Sequence, residues 1–511
     1  MPLPPPASPL EFERPPVPLV VAVVLTAILE VLDITIVNVA MPHMLGAFGA
    51  TPDQITWVLT SYIVAAAIVM PLTGYLSNWL GRRRLLFFAI TGFVGSSILC
   101  GLSWNLESIV FFRLAQGVFG APLVPLSQAI LLDAFPREKH GQALAIFGLG
   151  IMVAPVIGPA LGGYLTETYS WRMVFYINIP IGIIALLLSA GYLPQRPVRD
   201  IKTDWIGMAL LVVAVGALQF VLDQGQTRDW FNSKVIVVGT ILSAFTAAAF
   251  FLRGWNKPDN IIDLSLIRDH NFVAGTLAIT LYGISLFGWM AIMPLFTQSL
   301  LGYPASTAGT LFIPRGLVSA LTLAITGGLL IRVFDARYLV AAGLVLTAVG
   351  TMLMAHYNLY VDYWGIASPG IVAGVGTGLF FVPLTAVAFA SIASVKYDEA
   401  SGIYSLMRGI GGSAGIAVVS WLYVRQAHIH FAELTAHVTP YNPNILPYLA
   451  EHGLTPHSPQ AGPLVALEIS RQAQMLAFDD MFWFIGLATL AIIPLVFFMT
   501  KPKTVALVPA H

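Results

Sequence analysis

The sequence predicts an all-α polytopic membrane protein with fourteen transmembrane helices. Of its 511 residues, 57% are hydrophobic and only 10% are charged, whereas a soluble domain carries about 25% charged residues. The apolar residues gather in windows of about 20 residues, the length at which a helix crosses the hydrocarbon core of a bilayer. The formal net charge is zero, so the charge balance does not indicate a nucleic-acid partner.

Fourteen apolar windows follow one another along the chain. They are predicted at 18–41, 55–77, 85–103, 107–133, 141–165, 173–193, 205–224, 235–253, 271–294, 305–330, 338–356, 364–394, 400–423 and 480–500. An even number of spans places both ends of the chain on the same side of the membrane. The Pro-rich residues 1–17 are predicted to be a disordered lead-in, and residues 501–511 a short tail.

The distribution of Lys and Arg predicts the orientation. Seventeen of these 25 residues fall on the side of the termini, five fall on the opposite side and three lie within spans. Because Lys and Arg favour cytoplasmic loops, both termini are predicted to be cytoplasmic.

An internal repeat is visible within the chain. "GYLSNWLGRRR" at 74–84 aligns with "GGLLIRVFDAR" at 327–337, an offset of 253 residues. The Gly- and Pro-rich segment 150–163 recurs as the Gly-rich segment 402–415, at an offset near 252. The shared spacing, rather than either match alone, indicates two related halves.

The repeat divides the chain into domains. Two six-span halves are predicted at 18–193 and 271–500, and they flank an inserted pair of spans at 205–253. Transporters are often built from such repeats, with the substrate site at the interface between them. The sequence contains no G-x-x-x-x-G-K-[ST] run, so ATP-driven pumping by this chain is not indicated. It also lacks the metal or nucleophile cluster that a membrane enzyme would show, so no enzyme is predicted.

Five segments, in order along the chain, resemble the signatures of one family. They are "LDITIVNVAMP" (32–42), "GYLSNWLGRRR" (74–84), "RLAQGVFGAP" (113–122), "APVIGPALGG" (154–163) and "WRMVFYINIPIG" (171–182). On these segments the chain resembles the major facilitator superfamily, specifically its fourteen-helix drug:proton antiporters of the EmrB/QacA type. The second segment has Asn78 where the family's loop signature has Asp, so the resemblance does not extend to a charge at that position.

The resemblance implies a major facilitator fold and a function. The implied function is proton-coupled antiport that exports small hydrophobic or amphipathic drugs across the bacterial inner membrane, without a cofactor. The EmrB branch further implies a periplasmic adaptor protein and an outer-membrane channel as partners. The alternative is a carrier that exports or imports one metabolite, such as a fatty acid or a siderophore.

Two acidic residues lie inside the first span, where a carboxylate costs roughly 2.5–3.5 kcal/mol on insertion scales. Glu30 and Asp33 are three residues apart and therefore share one face of a helix. Two neighbouring carboxylates repel each other in a medium of low dielectric, so the pair is suited to exchanging protons. Asp33 also belongs to the family signature, which implies a role in proton coupling and substrate binding. The alternative is that one carboxylate only pairs with an arginine for packing.

Arg113 lies in the fourth span among apolar residues, and its guanidinium does not lose its charge at accessible pH. We expect it to pair with the acidic residues of the first span and to tune proton coupling. The alternative is that it caps backbone carbonyls near a helix end. Further substrate-binding candidates are Asn38, Gln116, Tyr62 and Trp57.

The fifth span is rich in Gly and Pro, which let helices approach closely and bend. It is predicted to be a moving seam between helices, whereas static packing would need less Gly and no paired Pro. The gating candidates in this span are Gly150, Pro155, Gly158, Pro159, Gly162 and Gly163.

The loop after the second span supplies further gating candidates, which are Gly74, Gly81, Arg82, Arg83 and Arg84. The arginines could serve topology alone, but the resemblance implies that they pair with neighbouring helix ends in one state of the transporter. Arg315 and Arg408 lie within spans and could snorkel to a membrane interface. Arg408 is retained as a gating candidate.

The predicted outer loop 424–478 is much longer than the other outer loops. Its first part is rich in Pro, Asn and His, whereas "PLVALEISRQAQMLAFDDMFW" (463–483) places apolar residues at helical spacing. We expect the loop to form an outer cap that guides cargo or docks the adaptor. Two of its histidines, His428 and His430, are poorly spaced for two ligands on a helix, so no metal site is predicted.

Overall fold

The computed structural model describes residues 15–193, 204–255, 260–438, 445–455 and 457–500. Fourteen helices in this part of the chain are long and apolar enough to cross a membrane. We number them α1 (Val17–Phe48), α2 (Trp57–Leu80), α3 (Arg82–Gly101), α4 (Leu106–Ala134), α5 (Arg137–Thr168), α6 (Met173–Tyr192), α7 (Trp205–Gln224), α8 (Lys234–Gly254), α9 (His270–Leu300), α10 (Thr307–Val333), α11 (Ala336–Met354), α12 (Tyr363–Phe389), α13 (Ser394–Ala436) and α14 (Ala461–Phe498).

These helices confirm the fourteen spans predicted from the sequence. The predicted lead-in 1–17 lies outside the described residues except for its last three, and α1 already begins at Val17. The predicted tail 501–511 lies wholly outside the described residues.

The connection between the last two helices differs from the prediction. The loop predicted at 424–478 is too long, because α13 continues to Ala436 and α14 begins at Ala461. The prediction ended each span at the thickness of a bilayer, about 30 Å, whereas the 43 residues of α13 are about 64 Å long. Residues 437–460 remain as the connection, and they include a short helix, Ile445–Glu451.

Side-chain caps fix where several helices begin. Asn105 and Ser108 form a capping box at the start of α4, which satisfies backbone N–H groups that have no partner within the helix. The side chains of Asp269, Asp335 and Asp362 accept hydrogen bonds from the first backbone N–H groups of α9, α11 and α12. These three carboxylates therefore act at helix ends.

The helices form two groups of six and one pair. Helices α1 to α6 pack together, with α1 against α4, α5 and α6, and helices α9 to α14 pack together, with α9 against α12, α13 and α14. The two groups meet where α5 contacts α10 and α12, and where α13 contacts α2 and α4. The centre of the molecule is therefore enclosed by helices of both groups.

Glycines permit the closest helix contacts in both groups. A Cβ atom on Gly150 of α5 would lie 2.7 Å from Val24 of α1, and one on Gly162 would lie 3.0 Å from the carbonyl oxygen of Ile36. In the second group, a Cβ atom on Gly411 of α13 would overlap the backbone of α9. Thus α5 rests on α1 and α13 rests on α9 through the same kind of glycine contact, as the internal repeat predicts.

The inserted pair lies against both groups. Helices α7 and α8 pack together, and α7 also runs along α2 and α13. The Thr60 hydroxyl of α2 donates a hydrogen bond to Asp223 of α7. The Gln219 amide of α7 donates to the Ser413 hydroxyl of α13 at 2.5 Å. Helix α7 is therefore hydrogen-bonded to each group of six helices.

The segment after α8 is fastened to the start of α13. Lys396 Nζ lies 2.5 Å from Asp263 Oδ2 and 2.7 Å from the Ser265 hydroxyl. Partial burial raises the pKa of Asp263, but the hydrogen bonds from Lys396 and Ser265 outweigh burial and hold the pKa below its usual range. The ion pair therefore persists at neutral pH.

Candidate functional site

A buried ion pair joins α1 to α4. Arg113 Nη1 lies 2.5 Å from Asp33 Oδ2, and both residues are 0% exposed. The other carboxylate oxygen of Asp33 accepts hydrogen bonds from Gln116 Nε2 of α4 and Asn178 Nδ2 of α6, each at 2.9 Å. The Ser97 hydroxyl of α3 accepts from both amides. Asp33 is therefore the acceptor at the centre of a polar network inside the first group of helices.

The remaining contacts of Arg113 orient its guanidinium. Nε donates to the carbonyl oxygen of Val58 at 3.0 Å, and Nη1 donates to Gln116 Oε1 at 2.8 Å. The guanidinium carbon lies 4.2 Å from the centre of the Tyr62 ring, a cation–π distance. These contacts hold the guanidinium in one orientation against the Asp33 carboxylate, so the pair fixes α1 relative to α4.

Glu30 lies one helical turn away in a different environment. Its side chain is buried and accepts a hydrogen bond from the backbone N–H of Val124 in α4 at 3.1 Å. It also interacts electrostatically with Arg408 of α13, which belongs to the second group of helices. Glu30 is therefore the acidic residue of α1 that interacts with both groups of helices.

The other predicted substrate-binding residues are distributed unevenly. Gln116 and Tyr62 belong to the network around Asp33 and Arg113. Trp57 is half-buried, and its ring lies 6.2 Å from the ring of Phe220 in α7, so it packs against the inserted pair. Asn38 is exposed and two turns of α1 beyond Glu30. The structure thus brings together two of these four candidates.

Charged residues also join the two groups at the predicted cytoplasmic side. Arg82 at the start of α3 is buried between Asp133 of α4, at 3.0 Å, and Asp398 of α13, at 2.7 Å. The Ser77 hydroxyl of α2 donates to Asp398 at 2.5 Å. We call these four residues the Arg82 cluster. Since Asp398 is the only one of the four from the second group, its bonds hold that end of the molecule closed.

Asn78 contributes to the same junction. Its Nδ2 donates a hydrogen bond to Glu399 Oε1 of α13 at 3.0 Å. The amide that replaces the family's Asp at this position therefore makes a hydrogen bond between the two groups, whereas a carboxylate would face Glu399 with like charge. The presence of Asn78 instead of Asp therefore changes the expected charged contact into a hydrogen bond, and the two groups of helices remain connected at this position.

The other gating candidates in and near the loop between α2 and α3 do not belong to the Arg82 cluster. Gly81 has φ of 84°, a conformation that residues with a side chain rarely adopt, and it forms the sharp turn between α2 and α3. Arg83 donates to the carbonyl oxygen of Ala190 at the end of α6, and Arg84 is exposed. Gly74 of α2 lies directly against Glu399, because a Cβ atom there would lie 2.6 Å from the Glu399 Cα atom.

Gly74→Ala is expected to prevent the two groups from closing at this end. The added methyl group meets the backbone of α13 rather than a movable side-chain end. Spin labels on R84C and S391C should report a longer and broader distance distribution than in the unsubstituted protein. Gly95→Ala is the matched control, because a Cβ atom on Gly95 has no heavy atom within 4 Å. Unchanged distances in Gly74→Ala would show that this contact does not limit closure.

In the fifth helix, the predicted gating residues lie on its contact with α1. A Cβ atom on Gly158 would overlap the Thr35 hydroxyl, and one on Gly163 would lie 3.8 Å from Val39. Pro155 and Pro159 lie inside α5, where each removes a backbone hydrogen bond. On its other side α5 contacts α10, so it lies between the two groups.

One histidine near the predicted outer end of α13 contacts acidic side chains. His430 lies 2.8 Å from Asp480 of α14 and 3.4 Å from Glu433. Within the described ranges no group of three or more His, Cys, Asp or Glu residues is arranged to hold a metal ion. His430 therefore joins α13 to α14.

Sequence reasoning missed several residues of both polar clusters. Asn178 and Ser97 are uncharged residues in apolar helices, and nothing in their spacing sets them apart. Asp133 and Asp398 could have been noted as acidic residues at span ends next to the basic loop. Their pairing with Arg82 is a contact across 51 and 316 positions of the chain, which a single sequence does not reveal.

Comparison with known proteins identifies the family. Residues 23–416 match the model of the Major Facilitator Superfamily. The chain is 34% identical over 488 residues to the multidrug export protein EmrB of Escherichia coli, with 94% of this chain and 95% of that protein covered. It is 33% identical over 483 residues to the fatty acid resistance protein FarB of Neisseria gonorrhoeae, with 94% and 95% covered.

A solved structure supports the fold. The crystal structure of the human organic anion transporter TETRAN superimposes with a TM-score of 0.60 at 16% identity, covering 93% of this chain and all of that chain. At this identity the likeness concerns the fold alone. The family consists of transporters, so this multi-pass membrane protein is a transporter of small molecules and not an enzyme. The chain belongs to the Major Facilitator Superfamily, among its EmrB-like export proteins.

Proposed function

We propose that this efflux transporter is a proton-coupled antiporter that exports small hydrophobic or amphipathic compounds across a bacterial inner membrane, with both termini in the cytoplasm. The observation that carries the proposal is the position of Glu30. It is a buried carboxyl group of one helical group that interacts electrostatically with Arg408 of the other. A group at this position senses whether the two groups of helices are together or apart.

In the proposed cycle the two halves, residues 18–193 and 271–500, rock against each other. The inserted helix pair 205–253 moves with them. Rocking apart at the cytoplasmic side requires the bonds between Arg82 and Asp398 to break. It also moves Arg408 relative to Glu30, which changes how strongly the Glu30 carboxylate holds a proton. In antiport the proton reaches this carboxylate from the outer side and leaves it to the cytoplasm. Cargo bound from the cytoplasm and a proton bound from the outer side alternate on the same two halves, so inward movement of the proton drives outward movement of the cargo.

Asp33 and Arg113 also belong to the proposed proton-coupling group, because they lie next to Glu30 and support it. Their ion pair ties α1 to α4, the helix whose Val124 N–H binds Glu30. The pair thereby fixes the orientation of Glu30 relative to α4. Gln116 and Tyr62 contribute to the same support, and we retain Asp33, Gln116, Tyr62 and Asn38 as residues near the cargo path.

Purified protein in liposomes tests the function directly. An imposed pH gradient is expected to drive accumulation of a fluorescent cationic dye, and a protonophore is expected to abolish it. A voltage gradient applied separately measures whether the exchange moves net charge. Equal dye movement with and without the proton gradient would contradict proton coupling while leaving transport itself intact.

The range of cargo is the second part of the proposal. The name of the Escherichia coli relative supports export of several drugs, whereas the name of the Neisseria gonorrhoeae relative refers to fatty acid resistance. The latter supports the alternative of a carrier for one metabolite class. A panel of dyes, drugs and fatty acids in the same liposomes separates the two, since a metabolite carrier moves only one chemical class.

We further propose that the transporter works with a periplasmic adaptor protein and an outer-membrane channel. The contacts between α13 and α14 support this, because His430 and Gln426 bind Asp480 and hold the two helices together where α13 extends past its predicted span. The connection 437–460 at their ends is the proposed docking segment.

Replacing residues 437–460 with a Gly/Ser linker is expected to separate docking from transport. Proton-driven transport in liposomes should stay near the level of the unsubstituted protein, because the helices α13 and α14 are retained. Drug resistance of whole cells and co-purification with an adaptor should both fall. If liposome transport collapses while the adaptor still binds, the connection belongs to the transport cycle and the docking proposal is wrong.

A further inference from the structure

Arg315 of α10 is a buried cation without an anion. Three arginines of the described residues are buried, Arg82, Arg113 and Arg315. The first two lie against carboxylates, whereas Arg315, which is 7% exposed, makes no ion pair with any described residue. Its Nη1 is buried and has no hydrogen-bond partner in the described part of the chain.

The sequence explains why the protein itself does not supply the anion. Between residues 270 and 394 there are two acidic residues, Asp335 and Asp362. Both lie outside the membrane-spanning helices, where they cap the starts of α11 and α12, and Asp335 also pairs with Arg337. Arg315 is thus a charge inside the membrane whose compensation must come from elsewhere, since an unpaired buried charge is strongly unfavourable.

Comparison of the two halves through the internal repeat also shows that the second half lacks an acidic partner for its cation. The offset of 253 residues that aligns the loops after α2 and α10 places Arg315 at the position of Tyr62. In the first half, Tyr62 stacks on Arg113, which is paired with Asp33. The second half also has a cation on an aromatic ring, but the acidic partner is missing, because the same offset places Leu286 at the position of Asp33.

The guanidinium of Arg315 has one covered face and an unpartnered nitrogen, Nη1, at its edge. The guanidinium carbon lies 3.7 Å from the centre of the Trp289 ring in α9, so the indole covers one face. The N–H groups point outward in the plane, the direction in which a guanidinium binds the two oxygens of a carboxylate. Trp289 in turn contacts Phe312, with ring centres 5.2 Å apart, which provides an apolar surface beside the charge.

Arg315 also lies at the level where the two halves meet. Along α10 it falls between Gly309, which approaches Pro159 of α5, and Leu323, which contacts Gly148 of α5. A ligand bound there is close to the helix contact that opens and closes in the proposed cycle.

We propose that Arg315 binds the anionic group of the cargo and that the cargo includes amphipathic carboxylates, with the apolar body against Trp289 and Phe312. This inference rests on the proposed export function and names its substrate class. The recognition chemistry is a guanidinium with a planar monoanion, which a free inorganic anion could also satisfy, so the experiment separates the two sources.

Equilibrium binding of radiolabelled decanoate to the purified full-length protein tests the proposal without any proton gradient. The unsubstituted protein is expected to bind saturably, and Arg315→Gln is expected to lose at least about tenfold in affinity through loss of the charge-assisted bonds. Arg332→Gln is the matched control, because Arg332 is an exposed residue of the same helix. Decanamide, which lacks the charge, should compete poorly.

Three results would overturn the proposal. The first is unchanged decanoate affinity in Arg315→Gln. The second is displacement of decanoate by chloride or phosphate at equal concentration, which would assign the position to an inorganic anion. The third result applies if Arg315→Gln does not yield folded protein and Arg315→Lys is used instead. A decanoate affinity of Arg315→Lys equal to that of the unsubstituted protein would then contradict the proposal, because lysine lacks the planar fork.

Liposome transport then distinguishes this inference from the export function. Arg315→Gln is expected to retain proton-driven transport of the cationic dye while it loses transport of decanoate. Absence of dye and decanoate transport in the unsubstituted protein would contradict the export function, whatever the binding result. Dye transport together with unaltered decanoate binding in Arg315→Gln would contradict only the role of Arg315.

Discussion

Replacing Glu30 with glutamine is expected to abolish proton-driven transport and leave the protein folded. The amide oxygen can still accept the hydrogen bond from Val124 N–H, so the helix contact is preserved, but the side chain no longer exchanges a proton. Export against a concentration gradient in liposomes should fall to background. Exchange of labelled for unlabelled cargo, which needs no net proton movement, should continue.

Two further variants make this result specific. Glu107→Gln removes a carboxylate from the exposed first turn of α4 and should leave transport unchanged. Arg408→Gln removes the cation that faces Glu30, and it should alter the pH at which transport is fastest without abolishing exchange. If Glu30→Gln exports as fast as the unsubstituted protein, Glu30 is not the proton-coupling residue, and the role must be assigned to Asp33 or to another group.

Breaking the pair between Asp33 and Arg113 is expected to have the largest effect on stability. Asp33→Asn leaves a guanidinium at 0% exposure without its counter-ion, and such a loss costs about 3–5 kcal/mol. Arg113→Lys is expected to be similarly harmful, because lysine cannot bind Val58, Gln116 and Asp33 together from one planar group. Thermal unfolding in detergent should show lower midpoints for both variants, and transport should be lost.

A double substitution separates the charge pair from the packing around it. Asp33→Asn with Arg113→Gln removes both charges, and replacing a whole buried pair is often nearly neutral, so the unfolding midpoint should recover in part while transport does not. Glu468→Gln breaks the exposed pair with Arg471 on α14 and should cost at most about 1 kcal/mol. Equal midpoints for Asp33→Asn and Glu468→Gln would show that the buried pair contributes little to stability.

Much of the fold could be predicted from the sequence because its cause is local. Each membrane helix is a window of apolar residues with a length set by the bilayer, and all fourteen were recognisable. The lengths of α13 and α14 were not, since both helices extend past the apolar windows from which the spans were predicted. There the helix is maintained by contacts such as His430 with Asp480, which lie 50 positions apart in the chain.

The candidate site was predictable only as a set of residues. Glu30 and Asp33 were expected to act as one pair on one face, but three residues of helix correspond to about 300° of rotation, or 60° between the side chains. That angle directs Asp33 into the first group of helices and Glu30 towards the second. Which neighbour each side chain meets depends on α4, α6 and α13, and their positions follow from tertiary packing.

Arg315 illustrates the opposite case. Its unusual position could be seen in the sequence, because Arg315 is a cation in a half whose spans carry no acidic residue between 270 and 394. Snorkelling was an equally good reading of the sequence, since it depends on depth. Burial beside Trp289 favours a role inside the protein over snorkelling, because the guanidinium packs on an indole ring instead of extending into solvent.

The position of α7 has a consequence for compounds that arrive dissolved in the lipid. Two lines of contact join the halves, one between α2 and α13 and one between α5 and α10. Helix α7 lies over the first line and is hydrogen-bonded to both of its helices. The second line is flanked by exposed apolar side chains, Val153 and Ile157 on α5 and Leu321 and Ile325 on α10. Because the bilayer acts as a solvent that concentrates hydrophobic compounds, we expect such compounds to reach the molecule at the second line rather than at the line that α7 covers.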